Sequence, residues 1–353
     1  MRRLRGWAGE GTLRGMRQHV APWKIVLSLT LAVALFAYFI YQAPLAEVGR
    51  ALGQVHLGWV VITTAIALLT YLLRALRWGL ILRPAGTTGA GQLFGCTAAG
   101  FATSAILPAR AGELVRPLLL TARTRIPAAA TLASILTERL LDGASVLILF
   151  SGGILVAGHS LPANHLELLR RAALLAGVGV VVAVALVVVL LRHREGAVRR
   201  CARLCPARFR TRIESFLGHL MEGLAVLGNP VRLVEITLWS LGLWLVIGLQ
   251  LVALAKAFGM PLSLPQAFIV IAVSVIGLAV PTPAGVGGFH TAIQIALTQL
   301  LGVAAATATA YALIHHAICF FPITIIGLAY MGATGLTLGR ATELGTQEPV
   351  AEA

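Results

Sequence analysis

Two arginines and a glutamate stand between two runs of small and apolar residues in this chain. The stretch 107–117 reads LPARAGELVRP and carries Arg110, Glu113 and Arg116. Charge inside apolar sequence is costly in a bilayer, so it usually faces a partner, a cavity or a substrate. Arginine offers a permanent positive charge and a fork of donors that matches phosphate. These residues are candidates for binding a phosphate-bearing group, and an internal salt-bridge cluster is the alternative.

A second group of charges, Glu138, Arg139 and Asp142, lies in the next apolar run. Glu138 and Asp142 are spaced i, i+4, so a helix would place them on one face. That face could receive Arg110 or Arg116 and form a buried network. A binding role and a purely structural role both predict severe loss when one charge is removed, because an unpaired buried charge is costly.

A third stretch, 281–290, reads PTPAGVGGFH and interrupts another apolar run. Pro281 and Pro283 end a helix, while Gly285 and Gly287 allow close approach of the backbone. A glycine-rich loop without a following P-loop lysine is weak evidence for phosphate binding.

Three histidines, His290, His315 and His316, lie at or after this break. A histidine pair could sense or relay protons, because imidazole changes charge near neutral pH. A hydrogen-bonded packing pair is the alternative. The sequence contains no Ser–His–Asp grouping with a local signature and no metal motif, so it favours a protein without catalytic centre, metal ion or cofactor.

The composition is that of a polytopic membrane protein. Of 353 residues, 58% are hydrophobic and 12% are charged, and the mean hydropathy is +0.88. Soluble domains are closer to a quarter charged, and several apolar runs approach or exceed the ~20 residues that cross a bilayer. We predict an all-α membrane protein with about six full spans and no large soluble domain.

The positive charge is distributed as in membrane proteins rather than nucleic-acid binders. The net charge is +15, and the basic residues cluster at the ends of apolar runs, which is the positive-inside pattern. Five arginines before the first span, without a cleavage-site pattern, predict a retained span and a cytoplasmic N-terminus. Arg74, Arg77 and Arg83 are interpreted as marking the cytoplasmic end of the second span.

The chain divides into a basic cytoplasmic N-terminus (1–21), a transmembrane domain (22–331) and a polar cytoplasmic tail (332–353). The predicted spans are Pro22–Tyr41, Trp59–Leu82, Pro127–Ala157, Ala172–Leu191, Val231–Phe258 and Ala304–Met331. Within the domain, 192–230 is basic, and apolar residues recur there at helical spacing. We predict an amphipathic helix on the inner leaflet, with a simple topology anchor as the alternative.

Two apolar segments are too short or too broken to be ordinary spans. We predict one re-entrant hairpin with limbs 92–107 and 114–120, and another with limbs 267–280 and 291–301. Each hairpin stands between two spans, and the two units run in opposite directions. Paired interruptions in opposed halves are typical of transporters with an inverted repeat and a site near the membrane midplane.

The motifs at Leu107–Pro117, Glu138–Asp142 and Pro281–Gly287 resemble the flippase-like membrane family that includes the transmembrane region of lysylphosphatidylglycerol synthase. The resemblance extends from about Ile25 to Met331. In full-length synthases that region is joined to a soluble aminoacyl-transfer domain, for which this chain has no room. The resemblance therefore implies the translocating half without the synthesis activity.

The second motif departs from the family pattern. Relatives commonly have Pro-Gly-Gly and a glutamate where this chain has Pro283-Ala284-Gly285 and His290. They often carry an arginine near the position of His315 or His316. This chain thus lacks both the glutamate and the arginine of its relatives, so we do not expect it to form a Glu–Arg contact there.

These observations lead to one expected function and two alternatives. We expect translocation of a lipid or lipid-linked polar headgroup between leaflets, with anionic or phosphate-bearing membrane lipids as partners and no nucleic acid. The alternatives are a membrane transferase acting on lipid-linked aminoacyl or glycosyl groups, and a small-molecule or ion transporter. The expected location is a bacterial-type inner (plasma) membrane with both termini in the cytoplasm.

Overall fold

The computed structural model of this chain describes residues 22–41, 43–106, 112–193, 196, 210–280 and 282–335. Within these ranges the regular structure is helical and contains no strand. The helices are α1 (Pro22–Tyr41), α2 (Leu45–Gly53), α3 (Leu57–Leu82), α4 (Ala90–Ile106), α5 (Gly112–Thr121), α6 (Ala128–Ala157), α7 (Ala163–Arg192), α8 (Arg210–Leu224), α9 (Pro230–Ala257), α10 (Leu264–Ala279), α11 (Gly288–Ile295) and α12 (Ala305–Ala333).

Five of the described helices, α3, α6, α7, α9 and α12, are long and apolar enough to cross a membrane. A sixth span results if α1 and α2, which meet at 84°, are counted as one bent unit. The prediction of an all-α polytopic membrane fold is confirmed. The most apolar part of α7, 163–189, has no buried residue, as expected for a helix that faces lipid.

Each short helical pair packs against helices of both halves of the chain. Helices α4 and α5 lie side by side, as do α10 and α11. Helix α4 packs on α12, α10 packs on α6, and α3 packs on α9. This exchange of partners is the one that an inverted repeat would produce, and the repeat itself stays a prediction.

Glycine allows the two limbs of each hairpin to approach closely. A Cβ atom on Gly112 would collide with the carbonyl of Gly100, and one on Gly288 would collide with the carbonyl of Gly277. Such contacts between small residues are the usual means of close helix packing in membranes. Close glycine contacts therefore join the two limbs in both hairpins.

Three local features add to the spans. Pro117 lies inside α5, as the sixth of its ten residues, so one backbone hydrogen bond of that helix is missing. The segment after α1 contains the nine-residue helix α2. His165 and Glu167 lie within the first turns of α7.

Helix α8, which the sequence predicts to lie on the inner leaflet, packs on α6. Met221 and Leu224 are buried in a cluster with Ala133 of α6. A Cβ on Gly223 would come within 2.5 Å of the carbonyl oxygen of Ala130. The C-terminal end of the apolar face of α8 is therefore covered by α6, while Phe216 and Leu217 stay partly exposed. The position on the inner leaflet stays a prediction.

Candidate functional site

A buried network of charges joins α3, α5 and α6. Its centre is Arg77 of α3, which lies opposite Glu138 and Asp142, one helical turn apart on α6. Nη1 of Arg77 donates to Oδ1 of Asp142 at 2.6 Å, and Nη2 donates to Oε1 of Glu138 at 3.0 Å. The side chains of Arg77 and Glu138 are fully buried. One guanidinium group thus spans both carboxylates.

Helix α9 closes the far side of this pair. Nη1 of Arg77 also donates to Oγ of Ser240 at 2.9 Å. The indole Nε1 of Trp244 donates to Oδ1 of Asp142 at 3.0 Å. The carboxylate of Asp142 is therefore oriented by α3 and α9 together.

Arg116 connects the first hairpin to the network. Its Nη1 donates to Oε2 of Glu138 at 2.8 Å, so Glu138 accepts from two arginines. The Arg116 guanidinium lies 3.9 Å from the ring centroid of Trp78, a cation–π contact. The Trp78 indole is held in turn by its hydrogen bond to Oγ of Ser134 at 2.8 Å.

Two further arginines approach the outer oxygen of Asp142. Arg74 lies 3.5 Å and Arg139 3.7 Å from Oδ2. The Arg74 side chain is 13% exposed, whereas that of Arg139 is 45% exposed. The network is therefore sealed at Arg77 and open to the surroundings at Arg139.

The network carries an excess of positive charge. The four guanidinium groups of Arg74, Arg77, Arg116 and Arg139 face the two carboxylates of Glu138 and Asp142. That is an excess of two positive charges. Glu113 also interacts electrostatically with Arg139, and its carboxylate reduces the excess to one. Buried charge without a counter-charge is unfavourable, so the arrangement favours an added anion.

Several buried donors in the network lack an acceptor in the part of the chain that the structure describes. Nε and Nη2 of Arg116 and Nε of Arg77 are buried and find no hydrogen-bond partner within the described ranges. A buried donor without a partner costs free energy. The unpartnered atoms of Arg116 are the ones that a phosphate oxygen could satisfy.

The structure brings together most of the residues predicted for this site. Arg116, Glu138, Arg139 and Asp142 meet as described, and Arg110 lies outside the described residues. Sequence reasoning missed Arg74 and Arg77, which it took for markers of a membrane boundary. Their spacing, i and i+3 on one face of an apolar helix, was the signal that could have identified them.

An apolar groove lies beside the charged network, between α3 and α9. It is lined by Leu73, Leu238, Trp239, Gly242, Leu243 and Val246. Leu73 precedes Arg74 in sequence and Leu243 precedes Trp244, so the groove and the network share the same two helices. Charged and apolar surfaces adjoin here.

The residues predicted around the second break also come together. Pro283 and Gly285 form a short helical turn that contacts α4 of the first hairpin. His290 follows at the start of α11, and its ring centroid lies 4.4 Å from that of His316 on α12. His315 is buried next to them, and Pro281 lies outside the described part of the chain. The structure thus places the second break against the first hairpin.

The family model described as the transmembrane region of lysylphosphatidylglycerol synthase matches residues 25–327. The chain belongs to this family. The matched residues include all the described helices that form the charge network and both hairpins. The resemblance stated from the three motifs is confirmed.

One curated relative is a glycosyltransferase, AglD, from Haloferax volcanii. The two sequences are 27% identical in an alignment 352 residues long, and this alignment covers 90% of this chain and 56% of the relative. The chain therefore spans little more than half the length of that protein. No solved structure matches the chain. Together the family and this relative support a lipid-related membrane protein.

Proposed function

We propose that this protein moves a lipid with a phosphate-bearing headgroup from one leaflet to the other, and that the charge network binds the headgroup. The observation that carries the proposal is the excess of positive charge around Arg116, whose Nε and Nη2 have no acceptor among the described residues. A phosphate would supply both the missing charge and the missing acceptors.

The competition for Arg116 gives the site a way to open. Glu138 accepts from both Arg116 and Arg77, so it keeps one partner when Arg116 turns to a ligand. Arg116 belongs to the short helix of the first hairpin, whereas Arg77 belongs to a spanning helix. Phosphate binding would therefore exchange a contact between hairpin and span for one between hairpin and substrate.

The surroundings of the network suit an amphipathic substrate. Arg139 presents charge at the open edge, and the groove along Leu73 and Trp239 is apolar. A lipid lying there would place an acyl chain in the groove and its headgroup in the charge network. The family name refers to a phosphate-bearing lipid, which agrees with this substrate class.

Two opposed hairpins provide a route for alternating exposure. The turn at Pro283–Gly285 contacts α4 of the first hairpin, so movement of one hairpin affects the other. Both hairpins have reciprocal glycine contacts, as expected if they are equivalent parts of an inverted repeat. We place both termini on the cytoplasmic side of a bacterial-type plasma membrane, in accord with the basic N-terminus.

The test is a leaflet-resolved assay in vesicles that contain purified protein and fluorescent phosphatidylglycerol. An impermeant quencher added outside measures how much labelled lipid reaches the outer leaflet. Arg116→Gln should reduce this transfer at least tenfold, while Arg171→Gln, at an exposed ion pair on α7, should leave it unchanged. Equal transfer by folded Arg116→Gln protein would refute the site.

A membrane transferase is the second candidate, because the Haloferax volcanii relative is named a glycosyltransferase. Such an enzyme needs a carboxylate that water can reach. Glu138 is fully buried and Asp142 nearly so, which leaves the partly exposed Glu113 as the candidate. Purified protein incubated with labelled lipid-linked donor and acceptor would decide between the two. A labelled product formed without lipid transfer would favour the enzyme.

A further inference from the structure

The second break contains a buried histidine pair that is not part of the proposed anion-binding network. His290 of α11 and His316 of α12 are 3% and 7% exposed. Their ring centroids lie 4.4 Å apart, and the two ring planes are tilted by 34°. His315 is also buried, and both its ring nitrogens are without a partner within the described residues.

Each histidine of the pair holds one backbone group of the break. Nε2 of His316 lies 3.0 Å from the carbonyl oxygen of Ala284, so it carries the hydrogen and donates. Nδ1 of His290 accepts from the N–H of Gly287 at 3.4 Å. Both contacts fit neutral rings. Ala284 is the non-glycine residue with a left-handed backbone in the described chain, at φ 52°, and the His316 bond helps to hold it there.

The histidine pair is surrounded by phenyl rings, which carry no negative charge that could neutralise a protonated imidazole. Phe36 and Phe39 of α1 lie 5.4 and 5.1 Å from His290, and Phe320 lies 4.4 Å from His316. The other titratable groups on this part of α12 are His315, Tyr311 and Cys319. Tyr311 lies next to His315, and its hydroxyl donates to the carbonyl of Leu251. The electrostatic partners of His290 are the other two histidines.

Protonation would disrupt the observed contacts. A proton on Nδ1 of His290 converts the acceptor of the Gly287 N–H into a second donor. It also places charge among phenyl rings, and no carboxylate of the described residues pairs with it. The closed break therefore excludes the proton, and a state in which the break opens to water accepts it.

We propose that the His290–His316 pair is a proton-binding site, and that binding one proton favours opening of the second hairpin. Gly287 lies against the backbone of Leu35 and Phe36, so opening also requires α1 to move away. The short distance between the rings limits the pair to one proton, since two adjacent imidazolium ions repel. The idea that the proton drives lipid movement rests on the proposed function, whereas the site itself does not.

Hydrogen exchange of the full chain in vesicles tests the site without any transport. An imidazole in water has a pKa of about 6.5, so one proton bound only to the open state shifts the opening equilibrium about tenfold between pH 7.5 and 5.5. Amides of α11 should exchange about tenfold faster at pH 5.5, after correction for intrinsic rates. A wild-type protein without this extra acceleration overturns the proposal.

Variants assign the effect to a residue. The double variant His290→Asn/His316→Gln retains an acceptor for the Gly287 N–H and a donor for the Ala284 carbonyl, but it has no imidazole at the pair, so its exchange should lose the pH dependence. His159→Asn, in the exposed turn between α6 and α7, is the matched control and should keep it. The same dependence in the folded double variant contradicts the assignment. Lipid transfer measured in parallel separates the two proposals, because pH-dependent exchange without transfer overturns only the transport function.

Discussion

Replacing Arg77 by methionine should be among the most destabilising single changes in this chain. Methionine keeps the length and apolar body of the side chain but removes the donors to Glu138, Asp142 and Ser240. Removing one partner of a buried ion pair costs about 3–5 kcal/mol, because a charge stays buried without compensation. For Arg77→Met we expect a loss of unfolding free energy near the lower end of this range, about 3 kcal/mol, because Arg116 still pairs with Glu138.

The control is Arg83→Met. Arg83 pairs with Glu235 at 3.6 Å, with side chains 52% and 41% exposed, and such surface pairs contribute about 0–1 kcal/mol. The difference of about 2 kcal/mol or more corresponds to roughly thirtyfold in the unfolding equilibrium. Unfolding in mixed micelles of increasing SDS fraction, followed by tryptophan fluorescence, measures it, because Trp78 and Trp244 adjoin the network.

The double variant Arg77→Met/Asp142→Asn gives a sharper result. If the two charges interact directly, the combined loss is smaller than the sum of the single losses by about 1–3 kcal/mol. Equal stability of Arg77→Met and Arg83→Met would refute the buried-network reasoning. Strict additivity of the pair would refute the direct interaction.

Three smaller changes test neighbouring parts of the fold by the same unfolding measurement. Gly112→Ala should cost about 1–3 kcal/mol by overpacking the hairpin, whereas Gly91→Ala, with open space around it, should be neutral or slightly stabilising. Gly223→Ala should weaken docking of α8 on α6 by about 1–3 kcal/mol, and Gly218→Ala, also in open space, should not. Ser240→Ala should cost about 1 kcal/mol, the loss of one hydrogen bond to Arg77. A control as destabilising as its partner would contradict the packing described.

The sequence predicted the helices well because membrane burial leaves a strong one-dimensional signal. The first span was predicted as Pro22–Tyr41, and α1 has those bounds. The break before Gly112 and the break near Pro283 were also recognisable, since charge, proline and glycine interrupt apolar runs. The pairing of Arg116 with Glu138 could be anticipated from the i, i+4 spacing on α6.

The centre of the site could not be predicted in the same way. An arginine five residues before the end of a span, such as Arg77, has the same local signature whether it reaches the interface or a buried carboxylate. Only the packing of α3 on α6 decides, and the partner Asp142 is 65 positions away. The packing of α8 on α6 could not be predicted for a related reason, because an apolar helix face fits lipid and a neighbouring helix equally well.

The central claim is that the network around Arg116 binds the phosphate of a lipid. Native mass spectrometry of the purified protein, released from vesicles containing phosphatidylglycerol and phosphatidylcholine, measures it most directly. We predict one retained phosphatidylglycerol in the wild type and in Arg171→Gln, and its loss in folded Arg116→Gln. Undiminished retention by Arg116→Gln would contradict the account.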